Sequence, residues 1–500
     1  MELIKKTKSI CPEDLRVLDA ELWRVDGKVI MKKSCPDHGS FEDIYWSDYQ
    51  EYVRAEKFRD HGTGLSRTRE SKRGCPNDCG LCQQHQTHTI LLILELTGRC
   101  NLKCQICYAR AGEDNGIKEL SMEQIRAILE YGQENNYPLK VRGVGNSGGE
   151  PTLRDDLPEI IQMEKDLGYD YVLVMSNGLR LAEDIEYFKK LRDVDAWIYL
   201  QFDGVTPEPY IKARGRDLWP LKQKVIENAR KIGYDKIALI PTLAKGVNDH
   251  QVGDMIRYAG ENSDVIKFLV FQPISFSGRI DVSKLKEMRI TCSDAARLAE
   301  EQTDGQIKKT DFFTLPMNQT MAKIMTKGGQ HQDFCVHPHC GLITVVEYNK
   351  GKLVPIPRFI KNEELHAQMS RAFELNWSRP RILLALLTGL VKYVSPKLWL
   401  KLLPVVLLTK SSKSMKSVLT KWLPGHWLTI GIMHFMDPYN FDLDRVQKCA
   451  LHFGVIDEES KPRLIPFCSW NNIHRLSSNE KGELVEVGLD VAADSCEHVA

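Results

Sequence analysis

Three cysteines in the segment Leu96-Thr-Gly-Arg-Cys100-Asn-Leu-Lys-Cys104-Gln-Ile-Cys107-Tyr have the spacing C-x₃-C-x₂-C. Cys100, Cys104 and Cys107 can bind three irons of a [4Fe–4S] cluster and leave the fourth iron with an open coordination site. S-adenosylmethionine (SAM) can occupy that site through its amino and carboxylate groups. An electron from the cluster then breaks the sulfonium bond and gives a 5′-deoxyadenosyl radical. A purely structural metal loop is the alternative, but the position directly after a predicted strand favours catalysis.

A glycine-rich turn lies 40 residues beyond Cys107, at Ser147-Gly148-Gly149-Glu150-Pro151. Two glycines let a ligand approach the backbone closely, and the Glu150 carboxylate can pair with a bound amino group. An ordinary strand-to-helix turn is the alternative interpretation. Polar residues also follow later predicted strands, where a parallel barrel places its active site. The predicted SAM contacts are therefore Gly148, Gly149, Glu150, Ser176, Asn177 and Asp203.

A second C-x₃-C-x₂-C group, formed by Cys75, Cys79 and Cys82, precedes the first predicted barrel strand. That position excludes it from the role of the SAM loop. We interpret it as an auxiliary [4Fe–4S] site rather than a zinc site. Its fourth ligand is not evident from the sequence.

Four further cysteines are candidates for another closed cluster, although two of them lie far along the chain. The alternative is that they are buried structural thiols, since free cysteine behaves as a small apolar residue. The four are Cys335, Cys340, Cys449 and Cys468.

The N-terminus carries the outline of a mononuclear metal site. Cys11 and Cys35 are each followed by proline, and His38 lies three residues after Cys35. Asp14 stands where a C-x₂-C knuckle would have its second cysteine. Sulfur, nitrogen and oxygen ligands of this kind suit a mononuclear zinc or iron.

Short apolar runs alternate with amphipathic stretches from residue 89 onward, which indicates βα units and a buried parallel sheet. Six such units favour a partial (β/α)₆ barrel of the α/β class over an open doubly wound sheet. The predicted strands are Thr89–Leu96, Leu139–Gly145, Tyr171–Met175, Ala196–Phe202, Lys236–Leu243 and Ile266–Gln272.

The barrel accounts for fewer than half of the 500 residues, so several modules are expected. The predicted regions are an N-terminal metal knuckle (1–60), an auxiliary cluster loop (61–88), the barrel (89–290), a bridging region with auxiliary cysteines (291–380), an apolar, lysine-containing segment (381–432) and a C-terminal cluster-binding region (433–500). The segment 381–432 is too often interrupted by lysine to span a bilayer. Its apolar residues with Lys and Trp predict a segment that lies on a membrane surface, and a buried helical hairpin is the alternative.

Charge and cysteine usage limit the function classes. The 67 acidic and 68 basic residues nearly cancel, which gives no support for a nucleic-acid partner. The N-terminus has no apolar signal region, so a cytoplasmic location is expected, with peripheral contact at the inner face of the cell membrane. In that compartment 14 cysteines indicate metal binding rather than disulfides.

These motifs and their order along the chain resemble those of the radical SAM enzymes that include archaeal tetraether lipid synthase. The resemblance extends over nearly the whole chain. It is carried by Cys35-Pro-Asp-His-Gly-x-Phe-Glu-Asp, Gly74-Cys75-Pro-x-x-Cys79-Gly-Leu-Cys82, the SAM loop, Ser147-Gly-Gly-Glu-Pro-Thr-x-Arg-Asp-Asp, the segment Leu200 to Arg214 and His434-Phe-Met-Asp-Pro-Tyr-Asn-Phe-Asp.

That resemblance implies a partial barrel with several iron–sulfur clusters and a mononuclear iron. It also implies coupling of the terminal carbons of two isoprenoid lipid chains, whereas a looser assignment is methylation of a pterin precursor. A methyl terminus offers no handle for acid–base catalysis, so a lipid substrate suits radical chemistry. We therefore expect a lipid substrate, with a pterin or a peptide as alternatives, and an electron donor such as ferredoxin or flavodoxin.

Overall fold

The computed structural model describes the chain from residue 1 to residue 475, with internal gaps. The residues outside the description are 61–63, 66–67, 72, 113–118, 138, 318–334, 376–378, 399–425, 458 and 476–500. Most of the predicted membrane-surface segment 381–432 therefore lies outside the described residues.

An antiparallel sheet and one helix form the N-terminal module. Asp26 and Gly27 join its second and third strands with φ angles of 49° and 76°, as a two-residue hairpin turn requires. Asp48 caps the helix by accepting from the backbone N–H groups of Gln50 and Glu51. The elements are β1 (Glu2–Ile10), β2 (Val17–Val25), β3 (Lys28–Cys35), β4 (Gly39–Trp46) and α1 (Tyr49–Glu56).

Six parallel strands build the predicted partial barrel, in the spatial order of their sequence. They are β5 (Leu91–Thr97), β6 (Gly143–Gly148), β7 (Tyr171–Ser176), β8 (Trp197–Gln201), β9 (Ile237–Ile240) and β11 (Ile266–Pro273), with the short β10 (Thr242–Leu243) beside β11. The α/β barrel prediction is confirmed. The second strand begins four residues later than the predicted start.

Helices follow the strands and cover the outer face of the barrel. Leu92 and Leu94 of β5 pack in the same buried cluster as Ile125 and Ile128 of the following helix. The helices of this part are α2 (Met122–Asn135), α3 (Leu157–Asp166), α4 (Leu179–Glu183), α5 (Ile185–Asp193), α6 (Pro207–Arg214), α7 (Trp219–Lys231), α8 (Val252–Glu261), α9 (Leu285–Met288) and α10 (Cys292–Gln302).

Two C-terminal strands extend the barrel sheet, which the sequence analysis did not predict. β15 (His426–Met433) pairs in parallel with β11, and β16 (Leu451–Ile456) pairs in parallel with β5. The two segments His426–Met433 and Leu451–Ile456 therefore belong to the barrel sheet. The antiparallel strands beside them are β12 (Phe313–Thr314), β13 (Gly341–Asn349), β14 (Lys352–Pro355) and β17 (Pro462–Pro466).

Four more helices complete the described fold: α11 (Asn362–Glu374), α12 (Arg379–Tyr393), α13 (Leu443–Gln447) and α14 (Phe467–Ser469), the last continued by a π-helix (Trp470–His474). α12 exposes Leu384, Leu387 and Val391. Within the described residues, no helix is long and apolar enough to cross a membrane.

A buried arginine ties three regions together. Arg289 lies between Asp43 of β4 and Asp437 after β15, and its Nη1 is 2.6 Å from Asp437 Oδ2. All three side chains are almost fully buried, and removing one partner of such a cluster leaves an uncompensated charge. The cluster therefore fixes the N-terminal module and the C-terminal strands against the barrel.

Candidate active site and metal-binding thiols

The loop of Cys100, Cys104 and Cys107 leaves the carboxyl end of β5 and is held by an arginine from beyond β11. Arg279 donates to the carbonyl oxygens of Cys104 and Ala111, at 2.8 Å each. The backbones of Arg279 and Cys107 also form a bridge. The loop is thereby fixed at the carboxyl end of the barrel strands. It follows the first strand directly, as the sequence predicted.

A buried ion pair supports the same loop from the barrel interior. Arg214 contacts Asp203 at 2.7 Å and donates to the carbonyl oxygen of Ile106, also at 2.7 Å. Burial raises the pKa of the Cys104 thiol, and the nearby Arg214 opposes that rise. Burial also raises the pKa of Cys100 to about 12. A bound cation together with Arg214 would stabilise the thiolates that a cluster needs.

The two glycines of the Gly-Gly-Glu turn are required by the protein backbone itself. Gly148 has a φ of +123°, and a Cβ there would lie 2.3 Å from the carbonyl oxygen of Thr97. A Cβ on Gly149 would lie 2.0 Å from the carbonyl oxygen of Arg99. The turn thus packs directly on the residues that lead into Cys100. In the structure the two glycines allow this packing, and contact of Gly148 and Gly149 with SAM stays a prediction.

Glu150 joins the turn to the end of β7. Its Oε1 accepts from the hydroxyls of Thr152 and Ser176, and its Oε2 accepts from the backbone N–H of Asn177 at 2.7 Å. Burial raises the pKa of this carboxyl group, and the hydrogen bonds oppose the rise. The structure therefore brings Glu150, Ser176 and Asn177 together, and their contact with SAM stays a prediction.

Asp203 is placed differently from the other predicted SAM contacts. It is fully buried, and both of its carboxylate oxygens accept from Arg214. Its observed role is to hold the arginine that supports the cysteine loop. Direct contact between Asp203 and SAM stays a prediction.

The loop of Cys75, Cys79 and Cys82 is enclosed by C-terminal residues. The three cysteines line a small cavity. Arg463 donates to the carbonyl oxygen of Cys79 at 3.1 Å. Burial raises the pKa of the Cys79 thiol well above its usual value, and a hydrogen bond with Cys75 adds to that rise. This loop is a second concentrated set of thiols, separate from the first.

Three of the four other cysteines come together around a buried arginine. Cys340, Cys449 and Cys468 interact electrostatically with one another and with Arg445. Burial raises the thiol pKa of Cys449 to about 12. The Cys335 Sγ lies 3.8 Å from the carbonyl oxygen of Gln86. The structure thus supports a group of three thiols, and participation of Cys335 in the same cluster stays a prediction.

The N-terminal residues form a compact set of possible ligands. One ligand atom from each of Cys11, Asp14, Cys35 and His38 lies within 4.8 Å of the others. His38 Nδ1 is 3.5 Å from Cys11 Sγ and 3.4 Å from Cys35 Sγ. Asp14 therefore occupies the place of the missing cysteine, and two sulfurs, one oxygen and one nitrogen suit a tetrahedral metal.

A second set of possible metal ligands is linked by an arginine. It consists of Glu56, His337 and His339. Arg59 contacts Glu56 at 2.7 Å and the Nε2 atom of His337 at 3.0 Å. It also reaches Asp444. This group is explained as an ion-pair network.

A polar patch that the sequence analysis missed lies on the inner side of β5. Glu95 follows Leu94 in β5, and neighbouring side chains of a strand point to opposite faces. Because Leu94 packs against an outer helix, Glu95 faces the inside of the barrel. Trp470 Nε1 donates to Glu95 Oε2 at 2.9 Å, and Arg475 contacts Glu95 Oε1 at 2.6 Å. The Arg475 guanidinium lies 5.7 Å from the ring centre of Tyr108, the residue after Cys107. We refer to Glu95, Tyr108, Trp470 and Arg475 as the Glu95 patch.

Comparison with known proteins gives two family matches. A model described as the Radical SAM superfamily matches residues 94–259. A model described as the HMPTM N-terminal zinc ribbon domain matches residues 3–47, which contain the four N-terminal ligand candidates.

Individual proteins match over different lengths. The 7,8-dihydro-6-hydroxymethylpterin dimethyltransferase of Methanocaldococcus jannaschii is 42% identical over 494 residues, which cover 95% of both chains. A probable GTP 3′,8-cyclase of Methanothermobacter marburgensis is 29% identical over 37% of this chain and 58% of its own. The crystal structure of Streptococcus suis SuiB bound to precursor peptide SuiA has 18% identity and a TM-score of 0.36, covering 44% of this chain and 46% of that chain.

Proposed function

Because this chain belongs to the radical SAM family that includes the pterin dimethyltransferase of M. jannaschii, we propose that it methylates a reduced 6-hydroxymethylpterin. The observation that carries the proposal is the 42% identity over 95% of both chains. That match extends far beyond residues 94–259, to which the general family model is limited. As a radical SAM enzyme, the protein uses SAM and a [4Fe–4S] cluster. The pterin alternative thus takes precedence over the lipid substrate that the sequence analysis favoured.

We propose that Cys100, Cys104 and Cys107 hold the cluster to which SAM binds. When bound, the cluster and SAM would supply a radical that abstracts hydrogen from a carbon of the substrate, and the methyl group that replaces it would come from SAM or another one-carbon donor. The protein's contribution is to position the loop through Arg279 and to balance thiolate charge through Arg214. Three thiols on one short loop, with a cation beside Cys104, suit that cluster.

Glu150 and the end of β7 are the proposed SAM-binding residues. Glu150 Oε2 accepts one hydrogen bond from Asn177, so the oxygen has a further lone pair for an ammonium group. Ser176 and Thr152 fix the other carboxylate oxygen. The carboxylate is thereby oriented before SAM arrives, which lowers the entropic cost of binding.

The Glu95 patch is the proposed substrate-recognition surface. A pterin presents adjacent N–H and amino donors on one edge, and a carboxylate such as Glu95 can accept from both. Its flat ring can stack on Tyr108 or Trp470. Tyr108 directly follows Cys107, so a substrate on this patch would lie next to the proposed cluster.

The remaining thiols are proposed as metal sites with structural or electron-transfer roles. Cys75, Cys79 and Cys82 are proposed to bind one auxiliary [4Fe–4S] cluster. The proposed ligands of a second are Cys340, Cys449 and Cys468. The N-terminal set of Cys11, Asp14, Cys35 and His38 is proposed to bind zinc, in agreement with the matched zinc ribbon.

Lipid coupling remains the second candidate function. It is favoured by the apolar surface of α12, where Leu384, Leu387 and Val391 are 61%, 51% and 76% exposed. Such a surface suits contact with lipid or with a membrane. The two candidates differ in substrate and product, so one experiment separates them.

The test is anaerobic incubation of the purified protein with SAM, dithionite and either 7,8-dihydro-6-hydroxymethylpterin or a total lipid extract. Mass spectrometry then measures methylated pterins and lipids that have lost hydrogen. A parallel arm analyses pterins from cells that express the protein, because SAM is the one methyl donor in the purified assay and a cell also supplies other one-carbon donors. Cys104→Ala is the negative control, and Glu95→Gln should reduce pterin methylation while SAM cleavage continues. Coupled lipid without methylated pterin in either arm would contradict the pterin proposal.

A further inference from the structure

The C-terminal end of the described residues packs against the loop of Cys75, Cys79 and Cys82. The imidazole of His474, the last residue of the C-terminal π-helix, packs against that loop with Nε2 3.1 Å from the carbonyl oxygen of Pro76. Pro76 lies directly after Cys75. His474 is 7% exposed, so it is buried against the loop rather than in solvent.

The hydrogen bond to Pro76 determines which nitrogen of His474 can bind a metal. A carbonyl oxygen only accepts, so Nε2 of the neutral ring carries the proton and Nδ1 keeps its lone pair. The same imidazole forms a side-chain hydrogen bond with Cys79. Metal-binding histidines commonly donate their second ring N–H to a backbone carbonyl in this way, which fixes the tautomer and the ring orientation.

Another histidine near the loop has a different hydrogen-bonding pattern. His85 lines the same cavity as the three cysteines. Its Nε2 lies 2.9 Å from the carbonyl oxygen of Cys449, and the ring also hydrogen-bonds the backbone of Thr87. The His85 Nε2 also lies 3.1 Å from Nε2 of His452, so the described contacts of His85 are with two backbone groups and a second imidazole. Asp78, which also lines the cavity, is bound by Arg73.

We propose that Nδ1 of His474 is the fourth ligand of an iron–sulfur cluster held by Cys75, Cys79 and Cys82. This inference rests on the auxiliary cluster proposed above. With four protein ligands the cluster is closed, so SAM cannot coordinate it. A neutral imidazole in place of a thiolate makes the cluster less negative and raises its reduction potential. Such a cluster is suited to passing electrons.

The test uses full-length protein in which Cys100, Cys104 and Cys107 are replaced by alanine, so that the proposed SAM cluster does not contribute. Cys79→Ala in that background identifies the spectroscopic signal that belongs to this loop. The remaining variants are His474→Cys, His474→Ala and the matched control His85→Ala. Iron, sulfide and zinc are measured, and pulsed EPR detects ¹⁴N coupling to the reduced cluster.

The expected result is strong ¹⁴N coupling in the background protein and in His85→Ala. In His474→Cys that coupling disappears, iron and sulfide remain, and the potential of the signal shifts to lower values. His474→Ala should lose the same signal. Circular dichroism checks that each variant is folded, and His474→Cys keeps the test valid if His474→Ala is not.

Two different failures can be told apart. If Cys79→Ala loses no iron, or if the site contains zinc, the auxiliary cluster itself is wrong. If Cys79→Ala loses the cluster but His474→Cys leaves the ¹⁴N coupling and the potential unchanged, His474 is not the ligand.

Discussion

Two loops of this chain have the same C-x₃-C-x₂-C spacing but different surroundings. The loop of Cys100 leaves a barrel strand and is covered by the Gly-Gly-Glu turn. The loop of Cys75 precedes the barrel and is covered by Arg463 and His474 from the C-terminal region. Each has an arginine that donates to the carbonyl oxygen of its middle cysteine, Arg279 for Cys104 and Arg463 for Cys79.

In the proposed clusters the C-x₃-C-x₂-C spacing supplies three ligands, and the fourth position is left to distant parts of the chain. Next to Cys100 the neighbouring carboxylate is Glu150, the proposed acceptor for the ammonium group of SAM. Beside Cys79 the neighbouring group is an imidazole. The same local motif can therefore be open to SAM in one place and closed in the other.

The largest difference is expected from loss of the middle cysteine in each loop. Cys104→Ala and Cys79→Ala should each remove about four irons per chain, since an incomplete thiolate set cannot hold the cubane. Only Cys104→Ala should abolish 5′-deoxyadenosine formation from SAM with dithionite as the reductant. Iron analysis and chromatography measure the two effects. SAM cleavage retained by Cys104→Ala, or lost in folded Cys79→Ala, would break the comparison.

A glycine substitution in each region gives the next largest difference. Gly149→Ala places a Cβ 2.0 Å from the carbonyl oxygen of Arg99, so the turn must move away from the cysteine loop. In Gly80→Ala the Cβ has its nearest contact at 3.6 Å, which is ordinary packing. We expect at least a tenfold loss of SAM affinity in Gly149→Ala and little change in Gly80→Ala. Equilibrium binding of SAM measures this, and equal affinities would show that the turn does not shape the site.

Loss of an arginine should destabilise the two regions unequally. Arg214→Ala leaves the buried Asp203 charge without its partner, which costs about 3–5 kcal/mol of unfolding free energy. Arg463→Ala removes one hydrogen bond to the Cys79 carbonyl, worth about 1 kcal/mol. Urea unfolding of the two variants under anaerobic conditions measures the difference. A larger loss of unfolding free energy in Arg463→Ala than in Arg214→Ala would contradict this expectation.

The smallest effect is expected when a carboxylate is replaced by an amide of the same shape. Glu150→Gln removes a charge from the proposed ammonium site and should weaken SAM binding about tenfold, or about 1.4 kcal/mol, with iron content unchanged. Asp78→Asn, beside the other loop, should leave SAM binding unchanged. Loss of iron in Glu150→Gln would mean that Glu150 supports the cysteine loop rather than SAM.

Local pattern was sufficient to predict the six barrel strands and both cysteine loops. The start of the second strand was misplaced because Leu139 and Val141 are buried ahead of it, whereas β6 itself is rich in glycine.

Long-range contacts could not be predicted in the same way. β15 and β16 join opposite ends of the barrel sheet, and no periodicity indicates which strand they will pair with. His474 is 398 residues from Pro76 in the sequence. The sequence His337-Pro-His339 is a local signal for a polar site, but the contacts of His337 with Arg59 and Asp444 join residues far apart in the chain.

The central claim is that SAM coordinates the cluster of the Cys100 loop and not that of the Cys75 loop. Electron–nuclear double resonance on the reduced protein, with SAM labelled with ¹⁷O in its carboxylate, tests this most directly. The account predicts ¹⁷O coupling in the unmodified protein and in Cys79→Ala, and none in Cys104→Ala. Coupling that survives in Cys104→Ala but disappears in folded Cys79→Ala would contradict it.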